Sequence, residues 1–475
     1  MYRKTMKRWL SGMLLFALVL GLGAPASANL LYTAQTYYSN TKLGKIVGDT
    51  ATILSSVTSG DWGQGIFPFR DAAGEDRVAV ALYQGGADTI NIFDPAALPW
   101  TSPVQAISGQ DHSLSNIRKM VSLGDYLYGI SYGNNPYGDQ PSDIAQVRRF
   151  ETTDYVSDNA SFTYTPAAAQ GHGEGLAAYG SNIFAILTMT TGSYPNFDYG
   201  QNKLVKLGAD LEVVLSVDMV GRNTDGGTPG AYCQDGNLLY ITSWGGNQPV
   251  GPDIAPYRVE TLVESADLSS SNLTHANCVR GSWMKSRDVN WNHYFTGIAV
   301  ANGNAYVQAS RWNDSKAEGL SSSRAKKSAA ASGLRSGGEV RLYVVSADQL
   351  GLLSGDHKVQ TISFNDGWRL GLNLDENYLY VAAGSNLYRY TLPVTADSVA
   401  TVFGPDGTSL GGDISAFASV PSLRGVSAVQ AAMDGLVQAK AAREEKGDGR
   451  GCDAGLLWGW LLLLAAVPVA LRRRG

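Results

Sequence analysis

Six short polar segments hold most of the side chains in this sequence that could do chemistry. They are GDWGQG with Asp61 and Trp62, DHSLSN with Asp111 and His112, GHGEG with His172 and Glu174, NTDGGT with Asp225, DVNWNHY with Trp291 and His293, and NDGWR with Asp366 and Trp368. Trp62, Trp291 and Trp368 offer flat apolar platforms, and the neighbouring Asp, Asn and His supply directional hydrogen bonds; together they have the makings of a site for carbohydrate or another polar ligand. His112, His172 and His293 are three of only five histidines in the chain. With Glu174 or Asp111 they form a candidate set for zinc or a related divalent ion, and an open coordination position there would permit hydrolysis. A third reading is architectural: Asp, Gly and Asn make tight connections, while Trp and His cover the end of a core.

Several chemistries find no support. No H-E-x-x-H, close His pair or C-x-x-C accompanies the histidines, and NPYGDQPSD lacks the residue order of a calcium loop. There is no G-x-S-x-G nucleophile elbow, and GHGEGLAAYG, although rich in glycine, opens a strand and has no helix to hold a phosphate. No catalytic residue is assigned. A net charge of −5 without a basic stripe argues against nucleic acid as a partner.

The elements that must position these segments repeat. TGIAVANGNAYVQAS, starting at Thr296, is an apolar alternating run, an Asn-Gly turn and a second alternating run, and it recurs from Ile117, Gly175, Pro229 and Leu370, with a looser copy from Gly65. Period-2 alternation with a turn tolerant of positive φ reads as a β-hairpin. Third strands follow, as in TINIFDP, AQVRRFE, NKLVKLG, RVETLVES, VRLYVVSAD and SNLYRYTL, and fourth strands follow in most copies, as in EVVLSVDM and HKVQTISF. Four antiparallel strands per repeat make one blade of a β-propeller. Six copies are complete. A seventh blade is expected from the two ends of the repeat region, with strands two to four in NLLYTAQTYYSNTKLGKIVGDTATILSSV and strand one in LRGVSAV from Leu423. The expected fold is therefore an all-β, seven-bladed propeller closed by strands from both ends, similar in general architecture to bacterial secreted propellers.

That architecture assigns each loop a side. Connections from strand two to three emerge on the same face as the crossovers from strand four to the next strand one. The elaborate segments SYGNNPYGDQPSD, TTGSYPNFDYGQ, TSWGGNQPVGPDIAPY and a Ser/Ala/Lys-rich insertion over residues 312–338 all belong to that face. The crossovers carrying the candidate residues are expected to ring the mouth of the central channel there.

The chain's ends are of another kind. Residues 1–28 have a basic start, an apolar run and an Ala-Ser-Ala box, the pattern of a secretory signal peptide cleaved after Ala28. After the propeller over 29–432 and a linker over 433–450 comes GCDAGLLWGWLLLLAAVPVALRRRG, residues 451–475, whose apolar run is long enough to cross a bilayer and ends in an arginine cluster. This order of Gly-Cys, short apolar helix and Arg-rich terminus resembles the tripartite C-terminal sorting tails of bacterial surface proteins, and looks most like the Synergist type, Synerg-CTERM. The resemblance implies processing near Gly451 and Cys452 by an intramembrane protease of the rhomboid type, with the product held at the cell surface or released. The alternative is a permanent single-pass anchor, and both leave the propeller outside the cytoplasm, at the cell envelope or surface. Cys233 and Cys278 fall on the first and fourth strands of one blade, about 14 Å apart at three strand spacings, too far for a disulfide. The sequence thus points to an envelope-anchored binding or adhesion module for carbohydrate or another polar ligand, with a protein ligand as a further expected partner. The alternative is an extracytoplasmic, metal-dependent hydrolase or lyase acting at the channel mouth on sugars or lactones.

Overall fold

The computed structural model describes residues 29–420, apart from residues 36–40, 48, 57–61, 84–87, 96–99, 101, 134–144, 165–169, 192–197, 246–260, 274, 288–290, 313–337, 365–369, 376, 405–409 and 411–412. The signal peptide with Ala28, the linker, the tail with Gly451 and Cys452, and LRGVSAV all lie outside the described residues, as do Asp61, Asp366 and Trp368.

Seven antiparallel sheets form the blades. From the channel outward, the first blade is Trp62–Arg70, Asp76–Tyr83, Thr89–Phe93 and Gln105–Ser108. The second is Ile117–Leu123, Tyr126–Ser131, Gln146–Glu151 and Ser157–Thr163. The third is Gln170–Tyr179, Asn182–Thr191, Gln201–Leu207 and Val213–Arg222, and Asp198–Tyr199 forms an extra pairing beside the second of these strands. The fourth is Tyr232–Asp235, Leu238–Ser243, Leu262–Asp267 and His275–Arg280, and a short helix, Gly281–Arg287, follows it. The fifth is Tyr294–Ala301, Asn304–Trp312, Gly338–Ser346 and Lys358–Phe364, and the sixth is Leu370–Leu374, Tyr378–Ala383, Asn386–Thr391 and Thr401–Phe403.

The seventh blade closes the ring. Asn29–Gln35, Thr41–Val47 and Thr50–Ser56 supply strands two, three and four, as the sequence suggests, but strand one is Asp413–Val420. This corrects the expected closure strand. DISAFASV, which starts ten residues before LRGVSAV, is the stretch that pairs with Asn29–Gln35. Cys233 and Cys278 do fall on strands one and four of the fourth blade, and Cys233 is a free thiol.

Seven hydrophobic clusters hold the blades together, one at each interface. Tyr128 and Ile130 of the second blade pack on Leu176 and Ile183 of the third. Across the closure, Tyr380 and Leu387 of the sixth blade pack on Leu30 and Tyr32, and Leu31 and Leu43 pack on Val78 and Val80 of the first. Each blade is therefore apolar on both faces, so the closed ring leaves no blade face without a partner.

The two ends of the ring differ. In the second to fifth blades, strands one and two are joined by two residues only, Gly124-Asp125, Gly180-Ser181, Gly236-Asn237 and Asn302-Gly303. Asn302 and Gly303 both have positive φ, 53° and 73°, which the mirror-image turn of a two-residue hairpin requires. At the other end, the same blades join strands two and three through residues 132–145, 192–200, 244–261 and 313–337.

A second repeated feature shapes the channel. The inner strand carries a β-bulge in five blades, at Gln64, Arg118, Glu174, Thr296 and Ser415. A bulge leaves one residue unpaired and re-aims its side chain. In the fifth and seventh blades that side chain turns back to the next strand, Thr296 Oγ1 to Ser310 Oγ and Ser415 Oγ to Thr33 Oγ1, both at 2.8 Å. In the second and third blades the bulged residues are charged.

Candidate functional site

The candidate site forms where those two charged bulges, Arg118 and Glu174, meet the crossover from the third blade to the fourth. The middle of that crossover, residues 225–230, does not stay with its own blade. Glu174 Oε2 accepts the Gly226 N–H at 2.8 Å, and Arg118 Nη1 lies 4.0 Å from Asp225 Oδ1. Further along, the Gly230 carbonyl accepts the Ile298 N–H at 2.7 Å, and the Pro229 carbonyl accepts the Leu372 N–H at 2.8 Å. One short segment thus touches the inner strands of the second, third, fifth and sixth blades. It lies across the channel as a plug.

The glycines are there for close approach. A Cβ at Gly226 would overlap the Glu174 carbonyl, and one at Gly230, whose φ is 78°, would overlap the Leu372 carbonyl. Asp225 stabilises the turn at the start of the plug, accepting from Gly227 N–H at 3.1 Å and from Thr228 Oγ1 at 3.0 Å.

Burial dominates the electrostatics of this end. Glu174 is buried, and burial pushes its carboxyl up to about 8 against the opposing pull of Arg118. Burial likewise brings the Lys119 ammonium down to about 8, with Arg118 adding to the effect and Asp225 and Glu174 opposing it. Lys119 is half-buried and lines the channel. Arg118 also lies over the Tyr132 ring at 4.4 Å, and Tyr132 in turn stacks on His172 at 4.7 Å.

The structure brings together only some of the sequence candidates. Glu174 and Asp225 converge at the plug. His172 is adjacent but fully buried, with Nδ1 at 3.2 Å from the Tyr132 carbonyl and Nε2 at 3.0 Å from Thr190 Oγ1, so both ring nitrogens have partners. His112 closes a 3-10 turn, Gln110–His112, and packs edge-on to Phe150 at 5.1 Å, while Asp111 beside it is exposed. His293 is buried with Nε2 at 3.1 Å from Glu339 Oε1, and Glu339 is held in turn by Arg341 at 2.8 Å and Arg311 at 3.2 Å. Trp291 is buried between the fourth and fifth blades against Phe295 and Met284. Trp62 begins the inner strand of the first blade.

The three histidines therefore stand apart from one another, each with its own contacts. No group of three or more His, Cys, Asp or Glu that could hold a metal gathers among the described residues. GHGEG is also not a crossover: it lies within the inner strand Gln170–Tyr179, and the bulge at Glu174 accounts for the polar residues inside a strand. Arg118 and Lys119 are the functional candidates that the sequence reading missed. Their signal is a pair of adjacent cations inside the otherwise apolar strand IRKMVSL.

No family model matches the chain, and no curated protein matches it. Solved structures are similar at a distance. A CNH domain of AfRom2 is 12% identical with a TM-score of 0.41, over 78% of this chain and 98% of that one. The WD40 domain of coronin from Toxoplasma gondii is 11% identical with a TM-score of 0.39, over 81% of each chain. A prolyl endopeptidase structure is 10% identical with a TM-score of 0.39, over 80% of this chain and 49% of that one, so the chain spans about half its length. What this chain has in its own right is the seven-bladed propeller architecture, a scaffold generally used for binding.

Proposed function

We propose that this protein is an exported, envelope-anchored binding module whose loop-rich face takes a carbohydrate or another polar extracellular ligand. One observation carries the reading. Four adjacent blades turn with two residues at one end of the ring, and at the other end the same four blades join their second and third strands through residues 132–145, 192–200, 244–261 and 313–337. Loops set on a scaffold are where binding residues concentrate, because their sequence can vary without disturbing the core. Three of these segments, within SYGNNPYGDQPSD, TTGSYPNFDYGQ and TSWGGNQPVGPDIAPY, are rich in aromatic residues, Asn, Asp and Gln, the residue types that stack on and hydrogen-bond to sugars.

Export and anchoring rest on the ends of the chain. Residues 1–28 act as a cleaved signal peptide, and residues 451–475 act as a sorting tail cut near Gly451 and Cys452. Both place the propeller outside the cytoplasm, where a loop face meets extracellular polymers. The reading is tested by incubating the purified chain with an array of bacterial and host glycans. Saturable binding to a defined glycan class, lost when residues 246–260 are replaced by a short Gly-Ser turn, supports it. Intact-cell protease shaving that leaves the propeller untouched would contradict the location.

A further inference from the structure

The plug leaves a chamber behind it. Pro229 and Gly230 form its floor, and its walls come from the inner strands of all seven blades, enclosing about 460 Å³. That is the scale of a small-molecule site. The chamber runs from the floor toward the ends of the inner strands at Val300 and Leu374, on the side away from the long loops. Its walls are mostly apolar, including Ile66, Phe67, Val121, Val300 and Leu374.

Among the described residues Lys119 is the single charged side chain in that wall. The acids near it are already engaged: Glu174 accepts the Gly226 N–H, and Asp225 holds its own turn and faces Arg118. Lys119 itself makes no hydrogen bond or ion pair of 4.0 Å or less among the described residues. An ammonium without a close partner inside an apolar chamber is costly, and an anion entering the chamber removes that cost.

We propose that the channel chamber binds a small amphipathic monoanion, its carboxylate on Lys119 and its apolar body against Ile66, Val121, Val300 and Leu374. A single cation favours a single negative charge; a phosphate dianion would bring more charge into the chamber than Lys119 can neutralise. The site is separate from the loop-rich face, because residues 225–230 stand between them. The depressed ammonium of Lys119, held down by burial and by Arg118 with Asp225 and Glu174 opposing, rises toward its ordinary value when a carboxylate binds.

The test uses the full chain in lipid nanodiscs, titrated calorimetrically at neutral pH with 3-phenylpropionate and, separately, with the neutral isostere 3-phenylpropanol. The expected result is one site per chain, with the acid at least about tenfold tighter than the alcohol. Lys119→Met, which keeps an unbranched apolar side chain, removes the preference for the acid. Val300→Trp fills the chamber and removes binding of both. Equal affinity for acid and alcohol on the unmodified protein, or no binding of the acid at millimolar concentration, overturns the proposal without any variant having to fold. A folded Lys119→Met protein that keeps the preference overturns it as well.

Discussion

The hydroxyls of Thr33 and Ser415 lie 2.8 Å apart, although the two residues are 382 positions apart in the chain. They sit where the last inner strand meets the first described strand, and the bulge at Ser415 points its hydroxyl at that contact. Closure of the ring therefore depends on Asp413–Val420. A chain ended at Gly412 should lose its cooperative thermal transition, whereas one ended at Pro421 should keep it. Thr33→Val with Ser415→Ala in a double-mutant cycle should show a coupling of about 1 kcal/mol. Full stability without Asp413–Val420 would mean that the ring is closed differently.

The plug makes unequal demands on glycine. Gly226→Ala should cost about 3 kcal/mol or more in urea unfolding, because the added Cβ meets backbone that cannot yield. Gly124→Ala, at φ 58° with open space around the position, should cost only about 1 kcal/mol. Similar values for the two would show that residues 225–230 are not held against Glu174.

Two buried histidines should make the fold sensitive to acid. Burial holds the rings of His172 and His293 down to about 4, from an ordinary 6.5. The unfolded chain then binds more protons than the fold between those values, so stability is fully present above pH 6.5 and falls as the pH drops toward 4. Each contributes on the order of 3 kcal/mol to that loss. Urea midpoints measured from pH 7 down to pH 4 should decline, and His172→Gln should flatten the decline relative to its own value at pH 7.

Glu174 works in the opposite direction. Its carboxyl is raised to about 8 from an ordinary 4.5, so the folded state holds the extra proton. Its contribution is present below pH 4.5 and is lost as the pH rises through 8, by a few kcal/mol in order of magnitude. Glu174→Gln should therefore be at least as stable as the unmodified protein at pH 9. A larger alkaline loss in the variant would indicate that Glu174 is ionised in the fold.

Much of the scaffold was legible in the sequence, because period-2 alternation and turn residues such as Asn302-Gly303 are local signals. The plug was not legible. In NTDGGTPGA the glycines look like those of any tight turn, and only the contacts of Gly226 with Glu174 and Gly230 with Leu372 show that they serve close approach. Bulges misled in a similar way: Glu174 interrupts the alternation of GHGEGLAAY, so a strand read as a connection. Of the expected ring of aromatics and histidines, Trp291, His172 and His293 are buried by apolar contact and local hydrogen bonds, while Trp368 lies outside the described residues. Their polar sequence neighbourhoods carry no mark of that.

The binding role of the loop-rich face is tested most directly by comparing the two ends of the ring. A glycan that binds the full chain would be titrated against one variant with residues 246–260 and 313–337 replaced by short Gly-Ser turns. A second variant would carry Asp125→Lys and Asn304→Lys at the tight-turn end. The proposal predicts that the first variant loses at least about a hundredfold in affinity with an unchanged melting temperature, and that the second binds within about twofold of the original. Full affinity in the loop-replaced variant, or loss confined to the tight-turn variant, would contradict it.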